Sequence, residues 1–98
     1  VMCNTGFELI SECLQWKKPV LTRPLAMQME QLSNAAALEQ LGYATTMQSL
    51  ETTTARAWLD DMPAAPDVHF NNVAVALAEW LARGGSRPVS ELSKQLWA

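Results

Sequence analysis

Several things are scarce in this 98-residue chain. It has one histidine, His69, and no spaced set of Cys and His that would hold a metal. Neither a phosphate-cradling P-loop nor a nucleophile elbow is present, and there is no internal repeat or low-complexity tract. No apolar run approaches the ~20 residues needed to cross a bilayer as a helix. The start shows no basic segment followed by an apolar core, so a signal peptide is not expected. Positive charge is not in excess: the formal net charge is −3, which argues against the basic footprint of a nucleic-acid binder. The two cysteines, Cys3 and Cys13, are too few for a disulfide framework, so reduced thiols in a cytoplasmic protein are expected. His69, with no partner motif, reads as structural or surface.

What is present is a strand–helix–strand–helix series. Val1-Met2-Cys3 reads as the end of a buried strand, Asn4-Thr5-Gly6 as a turn, and Phe7 to Trp16 as a short helix with Leu9, Ile10, Cys13 and Leu14 along one side. Pro19 to Thr22 is a second apolar strand, and Arg23-Pro24-Leu25-Ala26 a loop. A second helix carries Glu30 to Ala35 in its first turns and ends at Gly42, and Tyr43 to Met47 is a third strand. The fold class is therefore α/β: part of a Rossmann-like parallel sheet of about three short strands, with a helical C-terminal half. Ligands of such sheets bind beyond the carboxyl ends of the strands, where the loops at Gly6 and Pro24 fall. Gly6 is where the chain turns from strand into helix, a place for unusual φ, and the N-terminus of that helix is a site for phosphate. A plain tight turn is the alternative.

The ordered pattern is Gly6, Glu12 six positions on, Lys18-Pro19-Val20-Leu21, Pro24, Glu30-Gln31, Asn34-Ala35 and Leu41-Gly42. It resembles the donor-binding signature of nucleotide-sugar glycosyltransferases of the two-domain GT-B architecture. The likeness is strongest to the C-terminal half of bacterial UDP-glycosyltransferases and of the N-acetylglucosaminyl transferase of peptidoglycan synthesis. It covers roughly residues 1–46, the donor-motif region, and leaves 47–98 as a mainly helical remainder without recognisable chemistry.

The resemblance implies a role for each residue. Asn4, Thr5, Gly6 and Phe7 would meet the donor diphosphate, Glu12 the two ribose hydroxyls, and Glu30 with Gln31 the hydroxyls of the donor sugar. A carboxylate offers two acceptor oxygens to neighbouring hydroxyls, so Glu12 suits a ribose; on its own it is a surface glutamate. Asn4 stands where many plant and animal relatives carry a histidine. It can hydrogen-bond a phosphate or cap the helix, but brings no charge. Glu8 and Leu9 replace polar residues of the plant branch, so phosphate binding would rest on backbone N–H groups. Arg23 would neutralise a diphosphate or lie exposed, Asn34 would anchor a neighbouring loop, and Met27 and Met29 would line the sugar pocket or fill core. Trp16 reads as packing. Many relatives have glycine where Lys17 or Lys18 stands; here that leaves Pro19 to end the helix.

The resemblance also implies a whole enzyme that transfers a sugar from a nucleotide diphosphate donor to an acceptor, with no cofactor and no metal. The catalytic base would lie in an N-terminal domain that precedes residue 1. The chain opens on Val1, in mid-strand and without an initiator Met. We therefore expect a partial C-terminal domain over residues 1–98, inactive alone, whose partners are the donor, an acceptor and its own N-terminal domain. A severed sheet edge favours pairing between copies as a homo-oligomer. Two other readings remain open. One is a nucleotide-sugar 2-epimerase, although those enzymes usually have paired glycines in the first loop. The other is a non-catalytic binding or assembly module that has kept the fold.

Further along, Ser49 is expected to cap a helix running to about Asp61 that buries Ala55, Trp58 and Leu59. Residues 62–66 form a connector. Asn72 is expected to cap a helix with Val73, Ala76, Leu77, Trp80 and Leu81 on one stripe, and Gly84-Gly85 to end it. Pro88 opens a last helix with Val89, Leu92 and Leu96 on one side, and Trp97 packs nearby.

Overall fold

The computed structural model describes residues 1–97. In chain order the elements are β1 (Met2–Asn4), α1 (Phe7–Gln15), β2 (Leu21–Arg23), α2 (Met29–Leu41), β3 (Thr45–Thr46), α3 (Thr52–Asp60), α4 (Val73–Ala82) and α5 (Val89–Trp97). The chain divides into two compact units, the first from Val1 to Val68 and the second from His69 onward.

The first unit is the expected α/β arrangement. Its strands lie in the order β1-β2-β3, all parallel, with Met2 opposite Leu21, Asn4 opposite Arg23 and Thr22 opposite Thr46. Side chains of a strand alternate between the two sheet faces, and β2 shows it. Val20 packs with Ile10, Cys13 and Leu14 of α1 and Leu38 of α2, whereas Leu21 packs with Met47 and with Trp58 of α3. Both faces of the central strand are thus covered, and Leu21 and Thr22 have no exposed surface. Full burial of a leucine stabilises by about 1.5–3 kcal/mol, so β2 anchors the unit.

The edges differ from expectation. β1 is not a buried strand: Val1 and Met2 are exposed, because β1 lies at the edge of the three-strand order. The ladder of β2 starts at Leu21 rather than Pro19, where Leu21 N–H donates to Val1 O; proline has no N–H to give. β3 shrinks to Thr45–Thr46.

The helix ends follow local chemistry. α1 closes in a Schellman motif: Lys18 N–H donates to Cys13 O, and Lys17 N–H to Leu14 O. Lys17 itself takes the left-handed conformation there, at φ 54°, so a lysine fills the place of glycine and Pro19 merely follows. α2 closes the same way at Gly42, φ 69°, with Tyr43 N–H donating to Leu38 O. Ser49 does not cap α3. Its hydroxyl donates to the Glu51 carboxylate at 2.6 Å, and Glu51 takes the cap position without a side-chain bond. Of the residues α3 was expected to bury, Trp58 is buried, Ala55 half-buried and Leu59 exposed. Trp16 is exposed rather than packed.

In the second unit Asn72 caps α4 as expected, accepting from Val75 N–H at 3.1 Å. The Asn71 amide donates to Leu96 O, and Trp80 Nε1 donates to Arg87 O. Leu92 of α5 is buried, whereas α4, despite its apolar sequence, has no buried residue and Val89 and Trp97 are exposed. His69 lies on the surface.

Candidate functional site

Asn4 and Arg23 end adjacent strands at the same level, so the loop around Gly6 and the loop around Pro24 leave the sheet side by side. Gly6 caps α1 with φ −75° and ψ 148° and no side-chain hydrogen bond. Its glycine identity is therefore not required by backbone conformation. A Cβ built there would meet nothing within 4 Å, so the space before the helix N-terminus is open. The first turns of α1 leave backbone N–H groups and a partial positive charge at that opening. Glu8 stands in the same first turn, an acid that shares the helix field with any incoming anion.

The expected site residues distribute as follows. Asn4 is exposed at the end of β1 and does not cap α1. Thr5 is completely buried. Its hydroxyl lies 2.9 Å from that of Thr22, and Thr22 in turn donates to Cys3 O. Phe7 and Glu12 are exposed on α1. The Ser11 hydroxyl, one turn in, donates back to Phe7 O at 2.7 Å. Glu30 is exposed in the first turn of α2, where a carboxylate suits the helix dipole. Met27 and Met29 are exposed, Met27 almost fully, and neither is core. Met27 also holds φ 63°, a strained value for a non-glycine residue. Arg23 is half-buried, with its Nε–H donating to Gln48 O at 3.4 Å.

Gln31 and Asn34, three apart on α2, share a face, and both reach the loops. Gln31 Oε1 accepts two backbone N–H bonds, from Thr5 at 3.2 Å and Leu25 at 2.9 Å. Asn34 Nδ2 donates to Thr5 O at 3.1 Å, the loop anchor expected of it. The sequence pattern marked Gln31 as a polar contact for the donor sugar, and gave no sign that its oxygen is shared between two loops. The Thr5–Thr22 pair was also missed; two threonines seventeen apart carry no signal until the strands are aligned.

The described clefts lie elsewhere. One of about 220 Å³ sits at the opposite, amino ends of β2 and β3, lined by Pro19, Tyr43, Trp58 and Pro66 among others. Trp58 Nε1 is buried, without a hydrogen-bond partner among the described residues. Among the described residues no group of three or more His, Cys, Asp or Glu is placed to hold a metal, and no helix is long and apolar enough to cross a membrane.

The family model described as glycosyl transferase family 1 matches residues 1–63, well over half of the 98 residues and almost the whole of the first unit. The chain belongs to glycosyl transferase family 1. The chemistry of that family is the transfer of a glycosyl group. No curated protein and no solved structure matches it. Within this glycosyltransferase, the matched stretch contains the sheet, both loops and α2, and leaves out α4 and α5.

Proposed function

We propose that this chain is the donor-binding part of a two-domain GT-B glycosyltransferase whose donor is a nucleotide diphosphate sugar, with UDP as the nucleotide. The observation that carries the reading is the open, uncapped N-terminus of α1 at the carboxyl end of β1, beside the loop that follows β2. A leaving diphosphate gains negative charge as the glycosidic bond breaks. Backbone N–H groups and a helix dipole already aimed at that place stabilise the charge without reorganisation. In this reading the Gly6 and Phe7 N–H groups meet the diphosphate, Asn4 flanks it from the strand end, and Thr5 supports the loop from beneath. Glu12, one turn further along α1, accepts from both ribose hydroxyls. Glu30 and Gln31 face the sugar from α2.

No metal or cofactor is required by this scheme. The base that activates the acceptor belongs to the N-terminal domain, so the 98 residues alone have no transferase activity. The protein acts in the cytoplasm, with the donor, the acceptor and its own N-terminal half as partners, and its exposed β1 edge is a place where copies pair.

Titration with UDP tests the reading. Glu12→Ala is expected to weaken UDP binding by ~1.5–3 kcal/mol, the value of hydrogen bonds to a charged acceptor. UDP binding indifferent to Glu12 would count against the assignment.

A further inference from the structure

The two amide side chains of α2 hold the peptide that leads into Gly6. A peptide is planar and trans, so its C=O and N–H point in opposite directions. The C=O of Thr5 and the N–H of Gly6 belong to one such plane. Asn34 Nδ2 draws the Thr5 carbonyl toward α2 at 3.1 Å, which turns the Gly6 N–H away from α2. Gln31 Oε1 fixes the preceding peptide by taking the Thr5 N–H, and with the same atom takes Leu25 N–H of the second loop. The Thr5 hydroxyl is tied down as well, on Thr22. All three polar groups of Thr5 are thus held inside the protein.

We infer that Gln31 and Asn34 are positioning residues: together they set the direction in which the Gly6 N–H donates, and they lock the Gly6 loop to the Leu25 loop. This rests on the donor-site reading for the identity of the anion that the N–H meets, but the clip itself does not. Gln31 then acts on the diphosphate through the backbone, which is distinct from touching a sugar hydroxyl.

The test uses the full chain, labelled for amide NMR, with inorganic pyrophosphate and UDP as probes. Asn34→Leu and Gln31→Met remove the donor and the acceptor at nearly constant size. Each is expected to weaken binding of bare UDP about tenfold, the value of one to two hydrogen bonds, and to quench the pyrophosphate-induced shift of the Gly6 amide. Gln31→Met is also expected to speed hydrogen exchange at both Thr5 and Leu25. Gln31→Glu, which keeps an acceptor oxygen at that place, keeps both amides protected. A residue that only touches sugar would leave bare UDP and both amides unchanged, and that result overturns the inference. If the unaltered chain shows no shift with either probe, the donor reading fails, while exchange at Thr5 and Leu25 still decides the clip. Should Gln31→Met fail to fold, Asn34→Ala, which removes a single bond, carries the same binding arm.

Discussion

The hydroxyls of Thr5 and Thr22 meet 2.9 Å apart with neither residue exposed. Thr22 donates onward to Cys3 O, so Thr5 must be the donor to Thr22. The two substitutions are therefore unequal. Thr22→Val leaves the buried Thr5 hydroxyl without its acceptor and removes one donor from the Cys3 carbonyl, and is expected to cost ~1–3 kcal/mol in urea unfolding. Thr5→Val removes one donor and leaves Thr22 bonded to Cys3 O, so it should cost less. The double variant should fall short of the sum, because the two share one network. Equal single-variant costs would contradict this order.

Two helices of the first unit end in the same motif with opposite residue choices, and they should respond oppositely to substitution. Lys17 holds φ 54°, so Lys17→Gly relieves left-handed strain. Its ion pair with Asp67, 2.6 Å but well exposed, contributes little. A net gain of about 0.5–1 kcal/mol is expected.

Gly42 at φ 69° is the converse case. A Cβ there meets nothing within 4 Å, so the loss from Gly42→Ala is conformational alone, about 1 kcal/mol. Thermal melts of the two variants moving in the same direction would contradict the account.

Burial above all, with Cys13 nearby, raises the Cys3 thiol above its ordinary value of 9.0, against the lowering effect of the Thr22 side chain. The folded protein therefore holds this proton more tightly than the unfolded chain. The resulting stability is full below the unfolded value and is lost as pH rises past about 9 toward the folded one. Cys3→Ala should flatten the alkaline limb of a stability–pH curve. The thiol of the folded chain should also react slowly with alkylating reagents near neutral pH; rapid labelling of Cys3 would oppose this.

The architecture was legible because Pro19-Val20-Leu21 leads into β2 as a short apolar run and the turns around it contain Gly6, Pro24 and Gly42. Asn72 and Gly42 occupy the positions their chemistry favours, and the spacing of Gln31 and Asn34 put both amides on one face. Other features were not legible, for physical reasons. Propensity assigns a left-handed helix end to glycine, yet Lys17 occupies it, held there by the two hydrogen bonds of the motif. Gly6 suggested a positive φ and instead keeps an ordinary one, beside open space. Trp16 and Leu9 read as packing, but their faces meet no neighbour that a three-strand sheet supplies. At the site, the sequence named the polar residues but could not say which groups turn inward. That depends on the alignment of β1 with β2, which no local pattern encodes.

Among the described residues the strands are only three, three and two residues long, against five helices of nine to thirteen residues. Far-ultraviolet circular dichroism of this protein should therefore resemble that of an all-helical domain. The strands add little to that spectrum, which therefore says almost nothing of how the two loops are aligned. The near-ultraviolet band of Trp58, packed against Leu21 of the central strand, is the optical signal that reports whether the sheet is in place.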